Sequence, residues 1–210
     1  MELVLITSSK KDDQEPALIT KLFEAGLTTL HLRKPMFATK HLSAYLDAIP
    51  EAFHKRIIIH SHHDLVFKYN LKGVHFTEVH LTRKFKKWWF LRKLKASGKK
   101  ITLTRSYHKL SEVYNEEELP FDYYLIGTIY NNITNEFYSG FYEQGINTMI
   151  KTSKKLFVAR GGINEVTIEK SYKYGFKGVG LNSQIWKSEK PFERFIEIVE
   201  DAKKRGILID

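Results

Sequence analysis

Two glycine-marked segments late in the chain carry the residue types that bind anions. Residues 156–163, LFVARGGI, read as a short buried strand that breaks at Gly161-Gly162, and residues 175–183, GFKGVGLNS, read as a second one ending at Asn182-Ser183. Glycine after a strand lets the backbone approach a ligand closely, and successive N–H groups there cradle an anion. Earlier in the chain, a strand-like run ends in His31, Arg33 and Lys34, whose cationic groups suit anionic oxygens. All nine histidines precede residue 109, and most fall at the ends of strand-like runs. Imidazole titrates near neutral pH, which makes His60, His80 and His108 candidate proton-transfer groups. His60 and His80 follow adjacent strands and are expected to approach one anion together.

The elements that must position these residues alternate along the chain. Strand-like runs begin near Leu3, Thr29, Arg56, Gly73, Ile101, Phe121, Leu156 and Gly178, and most are continuous apolar runs, as expected when both faces are buried. Helical patterns follow most of them. Pro16 suits a first helical turn behind Asp12-Asp13, Asn164 suits a cap for a helix through Tyr174, and Pro191 opens a stripe of Phe192, Phe195, Ile196 and Val199. Eight alternating units predict an α/β fold: a single (β/α)8 TIM barrel over residues 1–210, with a phosphate site after strands seven and eight. Chemistry in such barrels sits at the C-terminal ends of the strands, which adds Ser106 at the end of strand five. The stretch 129–144 reads as a long loop over the mouth.

The His60-Ser61-His62 spacing also matches the paired metal ligands of barrel hydrolases, because alternate residues of a strand point to one side. Those enzymes add a strand-eight aspartate, where this chain has Asn182, so no residue is assigned as a metal ligand.

Composition narrows the class. The absence of cysteine excludes disulfides, thiolate metal sites and a thiol nucleophile. No apolar run reaches the ~18 residues needed to span a bilayer, and the four-residue apolar core of MELVLITSSK is too short for a signal peptide, so a cytoplasmic location is expected. Much of the net charge of +10 lies between Arg83 and Lys100, interleaved with Trp88, Trp89 and Phe90. This stretch is read as a helix with a solvated basic face rather than a nucleic-acid or membrane surface. Leu81, Phe85, Trp88 and Trp89 share the face expected to pack inward, and Phe90 points nearly opposite, toward a contact with another copy in a homo-oligomer.

Taken together, several pieces resemble thiamine phosphate synthase and its relatives, the TenI proteins: LHLRK at 30–34, IIIHSHHDL at 57–65, KGVHF at 72–76, SYH at 106–108, FDYYLIG at 121–127, FVARGGI at 157–163 and GFKGVG at 175–180. The resemblance implies a barrel that joins hydroxymethylpyrimidine diphosphate to a thiazole phosphate with release of diphosphate, aided by Mg2+. It implies that Gly161, Gly162 and Ser183 hold the thiazole phosphate, that Arg33 binds diphosphate, and that Ser106 and Thr134 contact ligand. The family's magnesium aspartates align with Ser61 and His80, its strand-six lysine with Asn135, its strand-two lysine with Pro35, and the tautomerase histidine with Thr128. Asp64 and Glu78 are the carboxylates left nearby. Weak Mg2+ binding is therefore expected, with TenI-like tautomerisation or non-catalytic thiazole-phosphate binding as alternatives.

Overall fold

The computed structural model describes residues 1–130 and 140–209. Eight parallel strands close into a barrel in sequence order: β1 (Glu2–Ile6), β2 (Thr29–Leu32), β3 (Ile57–Ile59), β4 (Gly73–Phe76), β5 (Thr102–Tyr107), β6 (Tyr123–Ile126), β7 (Phe157–Arg160) and β8 (Gly178–Leu181), with β8 pairing back onto β1. All eight lie where the apolar runs predict them. The helices are α1 (Glu15–Glu24), α2 (Thr39–Asp47), α3 (Glu78–Thr82), α4 (Lys84–Ser97), α5 (Glu143–Thr152), α6 (Glu165–Tyr174), α7 (Ser183–Trp186) and α8 (Pro191–Lys204). After β3 the chain makes only a short 3-10 helix, His63–Phe67. No helix among the described residues is long and apolar enough to cross a membrane.

The two-residue strand period divides the core. Val4, Ile6, Ile58, Tyr123, Leu125 and Val158 fill the barrel interior, while the alternate strand residues face the helices in a larger cluster. Gly73 in β4 admits no side chain, because a Cβ there would lie 1.9 Å from the Thr102 carbonyl oxygen of β5. Below the interior layer, Lys177 pairs with Glu2 at 2.7 Å and the Lys72 ammonium donates to Thr29 at 2.5 Å. The opposite end of the barrel is the mouth, where the residues that follow this layer emerge.

Helix α4 reverses the predicted orientation. Phe90 is buried at 6% exposure against Phe67, Phe76 and His63, whereas Phe85 is 74% exposed and Trp88 and Trp89 are each 49% exposed. Aromatics occupy both sides of this helix, so periodicity gives it no single apolar stripe. The ring cluster beside β4 selects the Phe90 side, and Leu91 and Leu94 pack with it. The expected intersubunit contact through Phe90 is thereby removed.

Candidate active site at the barrel mouth

Continuing the inward positions of each strand past the core layer generates the site. Val158 leads to Arg160, Ile58 to His60, Gly73 to His75, Thr104 to Ser106, and Gly178 through Gly180 to Asn182. These side chains and turns surround a cavity of about 430 Å³. Of the predicted residues, Arg33, His60, Ser106, His108, Gly161, Gly162, Asn182 and Ser183 line it. Arg160, His75, Thr77, Glu78 and Thr128 line it as well. The predicted contact Thr134 lies outside the described residues, as do Asn135 and most of the loop after β6.

The conformation of the two glycine-marked turns follows from backbone geometry. Gly161 and Gly162 adopt φ of +85° and +67°, and a Cβ on Gly161 would press on Thr128 at 2.6 Å. The Gly162 carbonyl accepts from the Thr167 hydroxyl at 2.9 Å, and the Asn164 side chain caps α6 by accepting from the Thr167 N–H at 3.0 Å. Across the turn, Asn182 donates to the Ile6 carbonyl at 3.0 Å, fixing the start of α7. Among the described residues, neither the Gly162 N–H nor the Ser183 N–H has a protein acceptor. A pair of free N–H groups beside a cavity is the arrangement that accepts phosphate oxygens.

Arg160 is the residue that the sequence reading missed. It stands two positions after inward-facing Val158, and that alternation is the signal that marks it. One of its terminal nitrogens donates to His108 Nδ1 at 3.1 Å, while its Nε is buried without a partner. Neither Arg160 nor Arg33 has a carboxylate partner among the described residues. Burial, followed by the Arg33 charge, pulls the Arg160 pKa below the ordinary arginine value. Arg33 and Arg160 thus stand at the mouth without a carboxylate partner among the described residues, a state that an anion relieves.

Three predicted residues stand elsewhere. Lys34 is fully buried, with its ammonium on Glu15 at 2.7 Å and on the Lys10 carbonyl at 2.6 Å. It continues β2 on the side opposite Arg33, so it points outward from the barrel and cannot hold a ligand. His31 lies deeper than the cavity, completely buried, with Nε2 2.6 Å from the Tyr123 hydroxyl and Nδ1 2.9 Å from His60 Nε2. His80 faces a neighbouring cavity of about 690 Å³ beside α4, where its ring lies 4.4 Å from that of His63. His60 and His80 therefore do not converge on one anion, because α3 turns His80 back onto Thr77, 2.9 Å from its hydroxyl. Ser61 faces that neighbouring cavity too.

The His60–His62 pairing also fails. β3 ends at Ile59, and His62 adopts φ of +52°, which breaks the alternation. Its ring turns outward, 2.7 Å from the Phe37 carbonyl and 2.9 Å from the Thr39 hydroxyl. His60 instead stacks on His75 at 4.0 Å between ring centroids, and His31 completes a buried cluster.

Burial governs the protonation of this cluster. Desolvation pushes His31 down to about 3, with Lys72 and Arg160 adding to the shift. His60 and His75 are held well below the ordinary histidine value by burial and by their neighbouring rings. His108 is lowered less, by burial and then by Arg160. The buried imidazoles of the ligand-free interior are therefore neutral near neutral pH. An imidazole that binds a proton near pH 6.5 when unfolded, and not when folded, stabilises the fold above pH 6.5 and loses that contribution as pH falls toward about 3. Each such group contributes a slope of about 1.4 kcal/mol per pH unit, so the cluster together contributes about 4. Guanidinium unfolding midpoints are expected to drop steeply between pH 6.5 and pH 5. A flat midpoint over that range would show that the cluster takes up protons within the fold.

The residues present do not fit magnesium. Glu78 is the one carboxylate lining the mouth cavity among the described residues, and it pairs with Arg105. Asp64 is exposed and pairs with Lys93. Magnesium requires hard oxygen ligands, and no two carboxylates converge here among the described residues.

Known proteins share this architecture. A family model for thiamine monophosphate synthase matches residues 3–185. Thiamine-phosphate synthase 1 of Aquifex aeolicus is 25% identical over 190 residues, covering 88% of this chain and 85% of that protein. A thiamine phosphate pyrophosphorylase from Bacteroides thetaiotaomicron superimposes with a TM-score of 0.74 at 27% identity, covering 98% of each chain. One from Pyrococcus furiosus, 16% identical and covering 97% of this chain and 96% of its own, shares the fold with a TM-score of 0.73. With the family model matching most of its length and the barrel closing as in those structures, the chain belongs to the thiamine monophosphate synthase/TenI family, proteins of thiamine biosynthesis.

Proposed function

We propose that the mouth cavity binds a thiazole phosphate through the Gly162 and Ser183 N–H groups and couples it to hydroxymethylpyrimidine diphosphate. In that reaction the bond between the pyrimidine methylene and the diphosphate oxygen breaks, and the electron pair leaves with diphosphate. The thiazole nitrogen then uses its lone pair to form the new C–N bond. The observation that carries the reading is the meeting of a free N–H pair and two carboxylate-free guanidinium groups in one cavity. Arg33 and Arg160 neutralise the departing diphosphate, and bidentate guanidinium contacts suit its oxygens. Coupling moves no proton in the bond-forming step, which suits an interior of neutral imidazoles. Tautomerisation needs a proton carrier, and Thr128 stands where the family's tautomerase histidine would be. Ser106 and His108 line the same cavity and are available to contact the ligand pair.

A second reading, binding of thiazole phosphate without turnover, is favoured by the absence of converging carboxylates at the mouth among the described residues. Titration calorimetry with thiazole phosphate, paired with chromatographic assay of thiamine phosphate from both precursors, separates the two. Thiazole phosphate is expected to bind equally well with Mg2+ and with chelator, and Mg2+ alone is expected to give no measurable heat at millimolar concentration. Binding without thiamine phosphate formation selects the second reading. Failure of thiazole phosphate to bind overturns both.

A further inference from the structure

We infer that His31, His60 and His75 form a binding site for one zinc-class transition-metal ion, with the remaining coordination position open to the mouth cavity. The three residues come from β2, β3 and β4, and all are buried. One ring nitrogen from each lies within 4.8 Å of the others. Ligand nitrogens of a tetrahedral zinc ion lie about 3.3 Å apart, given Zn–N bonds of about 2.0–2.1 Å. His31 Nδ1 and His60 Nε2 already stand 2.9 Å apart, so an ion there replaces the proton that they now share. Bringing His60 and His75 onto one ion requires their rings, now stacked at 17° with centroids 4.0 Å apart, to turn out of parallel.

The surroundings match what metal-bound histidines require. A ligating imidazole ordinarily donates its other N–H to an oxygen that fixes the tautomer. His31 Nε2 faces the Tyr123 hydroxyl at 2.6 Å. Both nitrogens of His75 face hydroxyls, Thr104 at 2.9 Å on Nδ1 and Ser106 at 3.1 Å on Nε2, so whichever nitrogen does not bind the ion has an oxygen partner nearby. Imidazole nitrogens without carboxylates select zinc-class ions over magnesium or calcium. Burial keeps the rings neutral, the form that binds metal. His60 and His75 line the cavity, so an ion they hold borders it and can keep one position for an exogenous ligand. Arg33 and Arg160 line the same cavity, and their charge favours an anionic oxygen there, from hydroxide or a phosphate group.

The test of this site uses no thiamine precursor, so its failure and that of the coupling reading are distinguishable. Tag-free protein dialysed against Zn2+ or Co2+ is expected to retain one ion per chain by elemental analysis. X-ray absorption is expected to show about three nitrogen neighbours at ~2.0–2.1 Å, and the Co2+ form visible d–d bands. His60→Asn and His75→Asn are each expected to lower metal affinity at least 100-fold, and Tyr123→Phe about 10-fold. His62→Asn, at a left-handed position that asparagine tolerates, is expected to bind like the parent protein. The parent-protein spectrum decides the matter even if a cluster variant fails to fold. Absence of stoichiometric uptake, an oxygen-dominated shell, or loss of uptake in His62→Asn overturns the inference.

Discussion

Arg160→Met is expected to weaken the binding of inorganic diphosphate by about 10- to 100-fold while leaving the fold intact. Hydrogen bonds to charged groups contribute about 1.5–3 kcal/mol each, which sets that range. The same substitution is expected to raise thermal stability. Arg160 is half-buried, its buried Nε has no partner, and Arg33 repels it. Removing one of two like charges relieves about 1 kcal/mol, a gain of about 2–4 °C in a chain of this size. Arg33→Met is expected to behave in the same direction, with a smaller stability gain. Calorimetric titration of diphosphate and a thermal melt of each variant read both effects. Unchanged diphosphate affinity in both variants would remove the arginines from ligand binding. A lowered melting temperature in Arg160→Met would show that its contact with His108 outweighs the repulsion.

Glu15→Leu is expected to cost about 3–5 kcal/mol, or about 6–20 °C in melting temperature, without touching the mouth. The Lys34 ammonium and the Glu15 carboxylate are both buried, and Tyr45 donates to the second carboxylate oxygen at 2.7 Å. Burial raises the Glu15 pKa, and the bonds from Lys34 and Tyr45 oppose that rise. Deleting the carboxylate leaves a buried ammonium with only the Lys10 carbonyl. Replacing both residues, Glu15→Leu with Lys34→Met, is expected to recover most of the loss, since a desolvated ion pair and an apolar pair of similar volume are close in free energy. Chemical denaturation of the two variants measures the difference. A single-variant loss below ~1 kcal/mol would mean that Lys34 reaches water. The pair also has a positional role, because it anchors the chain directly after Arg33, whose backbone N–H donates to the Thr7 hydroxyl at 2.8 Å.

The eight strands and the anion turns were legible because both signals are local. A parallel strand buried on both faces must be a continuous apolar run, and Gly161-Gly162 must be glycine where φ is positive and Thr128 presses close. Caps followed the same logic: Asn164 and Pro191 begin α6 and α8 as read. Histidine clustering at strand ends was also visible, as was the lack of aligned carboxylates. The family follows from these strings and matches residues 3–185.

Which histidines meet was decided only by closure of the barrel. His31, His60 and His75 are 29 and 15 residues apart in sequence, and strand register alone brings their rings together. His62 left that group because β3 ends one residue before His60, and a single left-handed residue then reverses its direction. Lys34 and Arg33 are neighbours with identical charge, yet the strand period sends one to a buried carboxylate and the other to the mouth. Helix α4 offered aromatic rings on two sides, and only the presence of Phe67, Phe76 and His63 beside it chose Phe90. Sequence determined the elements and the kinds of chemistry available, since backbone propensity and side-chain type act over a few residues. The tertiary structure decided which groups share a cavity, which are buried with a counter-charge and which are left without one, since those depend on distances between strands far apart in the chain.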